Sequence, residues 1–283
     1  MDAMLSTLRL TQAHAPLTHH VSVLDEFGAM RQITIPAERA LTVFVDKREL
    51  VTLMTLGAAP ELLVLGYLRN QRLVDSVADI ESITVDWEVA AAAVKTRAGI
   101  ENFDAKTARR VVTTGCGQGT VFGDMMNDLT GVQLPPASDA TARLSQRALY
   151  GLLNAVRQQE STYKSAGSVH GCALFRQDEL QTFVEDVGRH NAIDTIAGWM
   201  WLNGVSGGDK IFYTTGRLTS EMVIKSAQMG VPVIVSRSGI TQMGHALAIQ
   251  LGLCLFGRAT NRHFICYSGF ERFDSEPEPA RSA

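Results

Sequence analysis

Residue types that could do chemistry are concentrated in a few glycine-marked stretches, and the first surrounds a cysteine. In Thr113-Thr114-Gly115-Cys116-Gly117-Gln118-Gly119, glycines flank Cys116 on both sides and a third follows. Glycine tolerates positive φ and carries no shielding side chain, so such a backbone can present one sulfur to solvent or to a partner's cleft. A thiol there is a candidate nucleophile, and a tight turn with an incidental cysteine is the competing explanation. The remaining cysteines, Cys172, Cys254 and Cys266, are widely spaced and form no C-x-x-C pair. That spacing argues against a disulfide framework or structural zinc site and for a reducing compartment, the cytoplasm. Cys254 and Cys266 lie in apolar runs and read as core.

Four further stretches carry arginine together with glycine, hydroxyls or amides. Glu185-Asp186-Val187-Gly188-Arg189-His190-Asn191 links a β-prone run to a helical one. Asn191 could cap that helix, and Arg189 with His190 could face an anion at its positive end. A purely structural ion pair of Glu185 or Asp186 with Arg189 is the alternative. Thr214-Thr215-Gly216-Arg217-Leu218-Thr219-Ser220-Glu221 has the composition of a phosphate-binding turn: exposed backbone N–H groups, a helix start and a fork-shaped cation. An ordinary N-cap with an early acid explains the same residues. Ser236-Arg237-Ser238-Gly239-Ile240-Thr241 repeats the pattern. Arg258-Ala259-Thr260-Asn261-Arg262-His263 adds two arginines between the last strands. Together these stretches suggest a ligand with several phosphates. No G-x-G-x-x-G or Walker A sequence is present, so neither a Rossmann dehydrogenase nor a P-loop NTPase is supported. His170 and Cys172 invite a zinc-deaminase reading, but that chemistry needs His-x-Glu and Pro-Cys-x-x-Cys. Residue 172 is cysteine instead, so no protein-ligated metal is expected, and a hydrogen-bonding role for His170 beside the ligand is preferred.

The elements that must position these residues fall into two rhythms. Up to about residue 115 the pattern is strand-rich. Val21 to Val45 alternates, Asp46-Lys47 marks a hairpin into Glu49 to Leu53, and Ile80 to Asp86, Val89 to Val94 and Val111 to Thr114 read as further strands. One helix begins at Pro60 and carries Leu62, Leu63, Leu65, Tyr67 and Leu68. Beyond it, helices over 142–159, 191–202, 219–229 and 241–251 alternate with strands over 169–175, 180–187, 210–214, 231–236, 253–256 and 264–267. That alternation predicts a largely parallel sheet with ligands at the carboxyl ends of its strands. The expected fold is α/β, with a strand-rich N-terminal domain over 1–115 and a C-terminal α/β domain over 116–283.

Composition excludes several classes. With 46% hydrophobic and 19% charged residues the 283-residue chain can bury a large core. A net charge of −3 gives no case for nucleic-acid or membrane-surface binding. No apolar run is long enough to span a bilayer, and Met1-Asp2-Ala3-Met4 opens no signal-peptide pattern.

The string Glu185-Asp186-Val187-Gly188-Arg189-His190-Asn191-Ala192 resembles the signature of the FdhD/NarQ family of formate dehydrogenase accessory sulfurtransferases. The likeness extends to Leu53-Met54-Thr55 with Pro60 to Leu68, to Gly167 to Cys172 with Ser168 in place of a second glycine, to Thr215 to Met222 and to Val235 to Ser238. The resemblance implies a cytoplasmic homodimer. It would take persulfide sulfur from a cysteine desulfurase and pass it to the molybdenum cofactor carrying two molybdopterin guanine dinucleotides, before that cofactor enters the formate dehydrogenase catalytic subunit. It also implies a C-terminal three-layer α/β/α domain similar to cytidine deaminases. On this reading Cys116 carries the sulfur. Arg189, His190, His170, Asp186, Arg217, Ser236, Arg237 and the stretch Arg258 to His263 meet the guanine dinucleotide cofactor. The family usually has Cys-Gly-x-Cys-Gly in the sulfur-carrying loop, whereas Gly119 stands here where the second cysteine would be. The alternative is therefore a cofactor-binding chaperone that moves no sulfur.

Overall fold

Alternating apolar residues in the first third of the chain build a sheet. In the computed structural model, which describes residues 8–103, 111–112, 119–120 and 131–276, the early strands are β1 (Arg9–Leu10), β2 (Thr18–Leu24), β3 (Met30–Pro36), β4 (Arg39–Val45), β5 (Arg48–Thr55), β6 (Ile80–Asp86) and β7 (Ala91–Thr96). Five of them form one sheet in the order β1-β6-β7-β4-β5, and β2 with β3 forms a separate antiparallel ribbon. The β4–β5 hairpin turns at Asp46 and Lys47, whose φ values of 46° and 71° place both in the left-handed region. That is the backbone of a type I′ turn, whose twist matches the strands it joins. The Asp46 carboxylate secures the turn by accepting from the Thr96 N–H (2.9 Å) and hydroxyl (2.5 Å). Helix α1 (Pro60–Asn70) starts with proline in its first turn, and Leu63, Val64 and Leu68 pack with Leu41, Val43, Leu53, Ile80 and Ile83.

Further along, β8 (Val111–Val112) pairs antiparallel with β9 (Gly119–Thr120). Next come β10 (Leu144–Ser145), α2 (Gln146–Gln158), α3 (Thr162–Ala166), β11 (His170–Arg176), β12 (Glu179–Asp186) and α4 (Arg189–Leu202). The chain ends with β13 (Ile211–Thr214), α5 (Ser220–Gln228), β14 (Val233–Ser236), α6 (Gln242–Leu251), β15 (Cys254–Thr260), β16 (His263–Ser268) and β17 (Phe273–Asp274). A six-stranded sheet runs in the order β12-β11-β13-β14-β15-β16. Strands β13, β14 and β15 are parallel and β16 antiparallel to β15. Both the mixed α/β class and the parallel centre were predicted from the alternation of elements. Apolar residues of α2 (Leu149, Leu152) and of the sheet (Phe175, Tyr213, Val235, Phe256) form its core.

The chain divides into two compact units: 1–128, 160–172 and 184–205 in the first, and 129–159, 173–183 and 206–283 in the second. It passes between them five times, where the sequence drew one boundary near residue 115. Helix α4, expected with the C-terminal domain, packs inside the first unit against α1. Glycines make the approach possible. A Cβ on Gly66 would lie 1.6 Å from the Asp194 carbonyl oxygen, and one on Gly198 would lie 2.0 Å from the Leu62 carbonyl oxygen. Around this crossing the Asn70 amide donates to Asp194 (2.7 Å), and Arg69 donates to the Ala197 carbonyl (2.9 Å) while stacking over Trp201. Burial lowers the Arg69 pKa to about 10.

Three local expectations change. Helix α2 starts at Gln146 rather than Ala142, because Ser145 supplies the cap by accepting from the Ala148 N–H. Helix α4 starts at Arg189 behind Gly188, so Asn191 is its third residue and not its cap. Arg258, Ala259 and Thr260 continue β15 instead of forming a loop, which leaves Asn261 and Arg262 as the turn into β16.

Candidate functional site

In the first unit the stretch from Glu185 to Asn191 is a junction of buried polar groups. Asp186 closes β12 and is 3% exposed. One carboxylate oxygen accepts from the Thr55 hydroxyl (2.5 Å) and the Leu56 N–H (3.1 Å). The other accepts from the Gly188 N–H (2.9 Å) and the Asn191 side-chain amide (2.8 Å). The same amide nitrogen donates to the Met54 carbonyl at 2.7 Å. Asp186 and Asn191 thus fasten the start of α4 to the end of β5. Burial pushes the Asp186 pKa above the ordinary carboxylate value, and the four donors pull against that shift. Glu185 accepts from the Thr162 (2.5 Å) and Tyr163 (3.2 Å) N–H groups, capping α3, a helix the sequence did not foretell. Both carboxylates accept hydrogen bonds from backbone N–H groups, and Asp186 accepts also from the Thr55 and Asn191 side chains. Arg189 and His190 are buried in the first turn of α4. His170, half-buried, begins β11 after Gly167 and Ser168, whose φ values of 69° and 50° are both left-handed.

Cys116 lies outside the described residues. The strands on either side of it in sequence, β8 and β9, pair Val112 with Gly119 and Val111 with Thr120.

In the second unit the three remaining arginine stretches converge at one end of the parallel strands. Ser236, fully buried at the end of β14, donates to the Gly216 carbonyl (2.7 Å) and accepts from the Ser238 N–H (2.9 Å). The Thr214 hydroxyl accepts from the Gly216 N–H (3.0 Å), and the Thr214 carbonyl from the Arg237 N–H (3.0 Å). Leu218 donates to the Gly239 carbonyl (3.0 Å), and Arg258 donates its N–H to the Ser238 carbonyl (2.8 Å). These bonds correct the phosphate-turn expectation. The N–H groups of Leu218 and Arg237 tie one loop to the other, and those of Gly216 and Ser238 turn back onto hydroxyls of their own loops, so none of the four is offered to a ligand. What the loops present is the exposed side chains of Arg217, Arg237 and Arg258. Ser236 holds the loops rather than facing outward. Ala259 is 1% exposed and cannot touch a ligand with its side chain. Thr260, Asn261, Arg262 and His263 are exposed at the hairpin end, and the Arg262 guanidinium sits over the Tyr150 ring at 5.8 Å. Gly257 is required beside them, since a Cβ there would lie 2.8 Å from the Tyr267 ring and 3.2 Å from the Ser238 carbonyl oxygen.

Among the described residues no group of three or more His, Cys, Asp or Glu side chains is arranged to hold a metal ion. None of their helices is long and apolar enough to cross a membrane.

Comparison with known proteins agrees with the signature strings. Proteins named sulfur carrier protein FdhD are similar: one from Listeria innocua is 30% identical over 250 residues, covering 87% of this chain and 95% of its own length. One from Bacillus subtilis is 30% identical over 236 residues, covering 83% and 88%. A crystal structure from Desulfotalea psychrophila, described as that of a formate dehydrogenase accessory protein, superposes with a TM-score of 0.74 at 25% identity. It covers 91% of this chain and all of its own. The sequence pattern of the FdhD/NarQ family matches residues 36–274, and the chain belongs to that family.

Proposed function

We propose that this chain is a sulfur carrier serving formate dehydrogenase. The observation that carries the reading is the 30% identity, across 87% of the chain, to a relative named for sulfur carriage. The accessory role described for the Desulfotalea protein supports the formate dehydrogenase side. In this reading the Cys116 thiolate attacks the terminal sulfur of a persulfide on a cysteine desulfurase. A new S–S bond forms, the donor's S–S bond breaks, and the desulfurase thiolate leaves. The loaded Cys116 persulfide is then presented to the substrate, the molybdenum cofactor carrying two molybdopterin guanine dinucleotides. Arg217, Arg237 and Arg258 side chains grip its phosphates, since a guanidinium fork matches phosphate oxygens two at a time. The reducing cytoplasm, where a free thiol persists, is the natural setting, and a homodimer the working unit.

Intact-protein mass spectrometry after incubation with a cysteine desulfurase and cysteine tests the carrier step. Wild type and Cys172→Ser gain one sulfur and Cys116→Ser gains none; loading of Cys116→Ser would move the role to another thiol. A second reading follows from Gly119 standing where the family has a second cysteine. Without a neighbouring thiol to resolve the persulfide, the chain would hold the dinucleotide cofactor and move no sulfur. Failure of wild type to load favours that reading. Both readings require phosphate binding. Guanosine diphosphate should bind Arg217→Ala at least tenfold more weakly than wild type, a loss of roughly 1.5–3 kcal/mol. Equal affinities in calorimetry would remove Arg217 from the site.

A further inference from the structure

Two cysteines that sulfur carriage does not use lie side by side in the second unit. On β15, Cys254 precedes Phe256 by two residues, so both side chains leave the strand on the same face. Phe256 pairs across the ladder with Cys266 of β16, which puts the Cys266 side chain on that face too. Both cysteines border the core formed with Phe264 and Phe273. Neither is in a disulfide, and their thiols lie close enough to influence each other's ionisation. They differ in access: Cys254 is fully buried, whereas Cys266 is half-exposed and its sulfur lies 3.5 Å from the Ser268 carbonyl oxygen.

We propose that Cys254 and Cys266 are an oxidisable dithiol that a hydroperoxide converts to a disulfide, a thiol chemistry separate from that of Cys116. Cys266, the thiol that solvent reaches, attacks the peroxide. A sulfur–oxygen bond forms, the O–O bond breaks, and water or an alcohol leaves, giving a sulfenic acid. The Cys254 sulfur then attacks the oxidised sulfur. The S–S bond forms, the S–O bond breaks, and the departing hydroxide takes the Cys254 proton as water. Two thiols are oxidised and one peroxide is reduced. Interaction with Cys266 first, and burial second, hold the Cys254 thiol well above its ordinary pKa. Same-face diagonal neighbours sit about 7–8 Å apart between Cα atoms, just beyond the usual disulfide span, so the two strands must draw slightly together for the bond to close. The register shift between Leu255 and Phe256 is where the ladder can yield. The bond would join β15 to β16 at the base of the hairpin whose far end carries Arg258, Asn261 and Arg262.

The pair is mapped on the full-length protein, independently of any sulfur loading or nucleotide binding. Hydrogen peroxide is added, free thiols are alkylated, and the chain is cut after arginine and lysine. Cys254 then falls in the peptide 238–258 and Cys266 in 263–272. The expected product is these two peptides linked, and released by dithiothreitol. Cys254→Ser should leave a sulfenic acid on Cys266 that dimedone captures, and Cys266→Ser should abolish the link. Recovery of both wild-type cysteines in alkylated form while other thiols oxidise would overturn the proposal. So would a cross-link from Cys266 to any cysteine other than Cys254.

Discussion

Asp186 accepts four hydrogen bonds, from Thr55, Leu56, Gly188 and Asn191, while almost completely buried. Asp186→Asn offers one carbonyl oxygen to donors that met two, and turns an NH2 toward at least one of them. A loss of roughly 2–4 kcal/mol follows, read as a lower urea midpoint. The pH dependence has a definite sign. A carboxyl whose folded pKa is raised contributes stability that is complete below its unfolded pKa and is lost as pH rises through the folded value. Wild type should therefore lose stability relative to Asp186→Asn as pH climbs above about 4. A difference that grows with pH would contradict the raised value. Ser168 offers a second test at this scale, because its φ of 50° at an exposed position strains the backbone without involving packing. Ser168→Val should cost about 1–2 kcal/mol in thermal unfolding, since a β-branched side chain resists that region. Ser168→Gly should be nearly neutral, the relief of strain offsetting the larger entropy of the unfolded chain.

At the scale of elements, the α1–α4 crossing brings backbone within contact of backbone. The predicted Cβ positions at Gly66 and Gly198 overlap carbonyl oxygens of the opposite helix. Nothing flexible is there to move aside, so alanine at either site must drive the helices apart. The gap would separate Asn70 from Asp194 and Arg69 from the Ala197 carbonyl. Gly66→Ala and Gly198→Ala should each cost about 3 kcal/mol, at the upper end for overpacking. Gly131→Ala, where a Cβ meets nothing within 4 Å, is the control and should leave the urea midpoint unchanged. Equal midpoints for Gly66→Ala and Gly131→Ala would contradict the close approach.

For the whole molecule, the five passages between units mean that no single cut yields either one intact. A fragment of residues 1–115 keeps the five-stranded sheet and α1 but lacks α4, so it exposes the apolar face that Trp201 and its neighbours cover. It also leaves Thr55 and the Leu56 N–H without Asp186. Such a fragment should show no cooperative thermal transition by circular dichroism and should bind a hydrophobic dye. A sharp, reversible melt would mean that α4 is dispensable to the first unit.

What the residues determined alone was local. Alternation of period two located the early strands, and Asp46-Lys47 marked a turn that only a left-handed pair can make. Glycine and hydroxyls before apolar runs marked the starts of α5 and α6, and the unusual string from Glu185 to Ala192 identified the family. These signals are carried by backbone conformation and neighbour spacing, which a short stretch fixes by itself. The roles of charged residues were not legible in that way. Asp186 resembled a ligand group and Glu185 an ion-pair partner of Arg189, until hydrogen bonds from Thr55 and Leu56 in one case and from Thr162 in the other came from distant parts of the chain. The N–H groups of Gly216 and Ser238 resembled an anion cradle, but the Thr214 and Ser236 hydroxyls two residues back take them, and those of Leu218 and Arg237 go to the neighbouring loop. A donor or acceptor is free for function only if no other part of the fold claims it. Hydrogen bonds between residues more than a hundred positions apart, and the glycine contact that brings α4 to α1, are decided only when the chain has closed on itself.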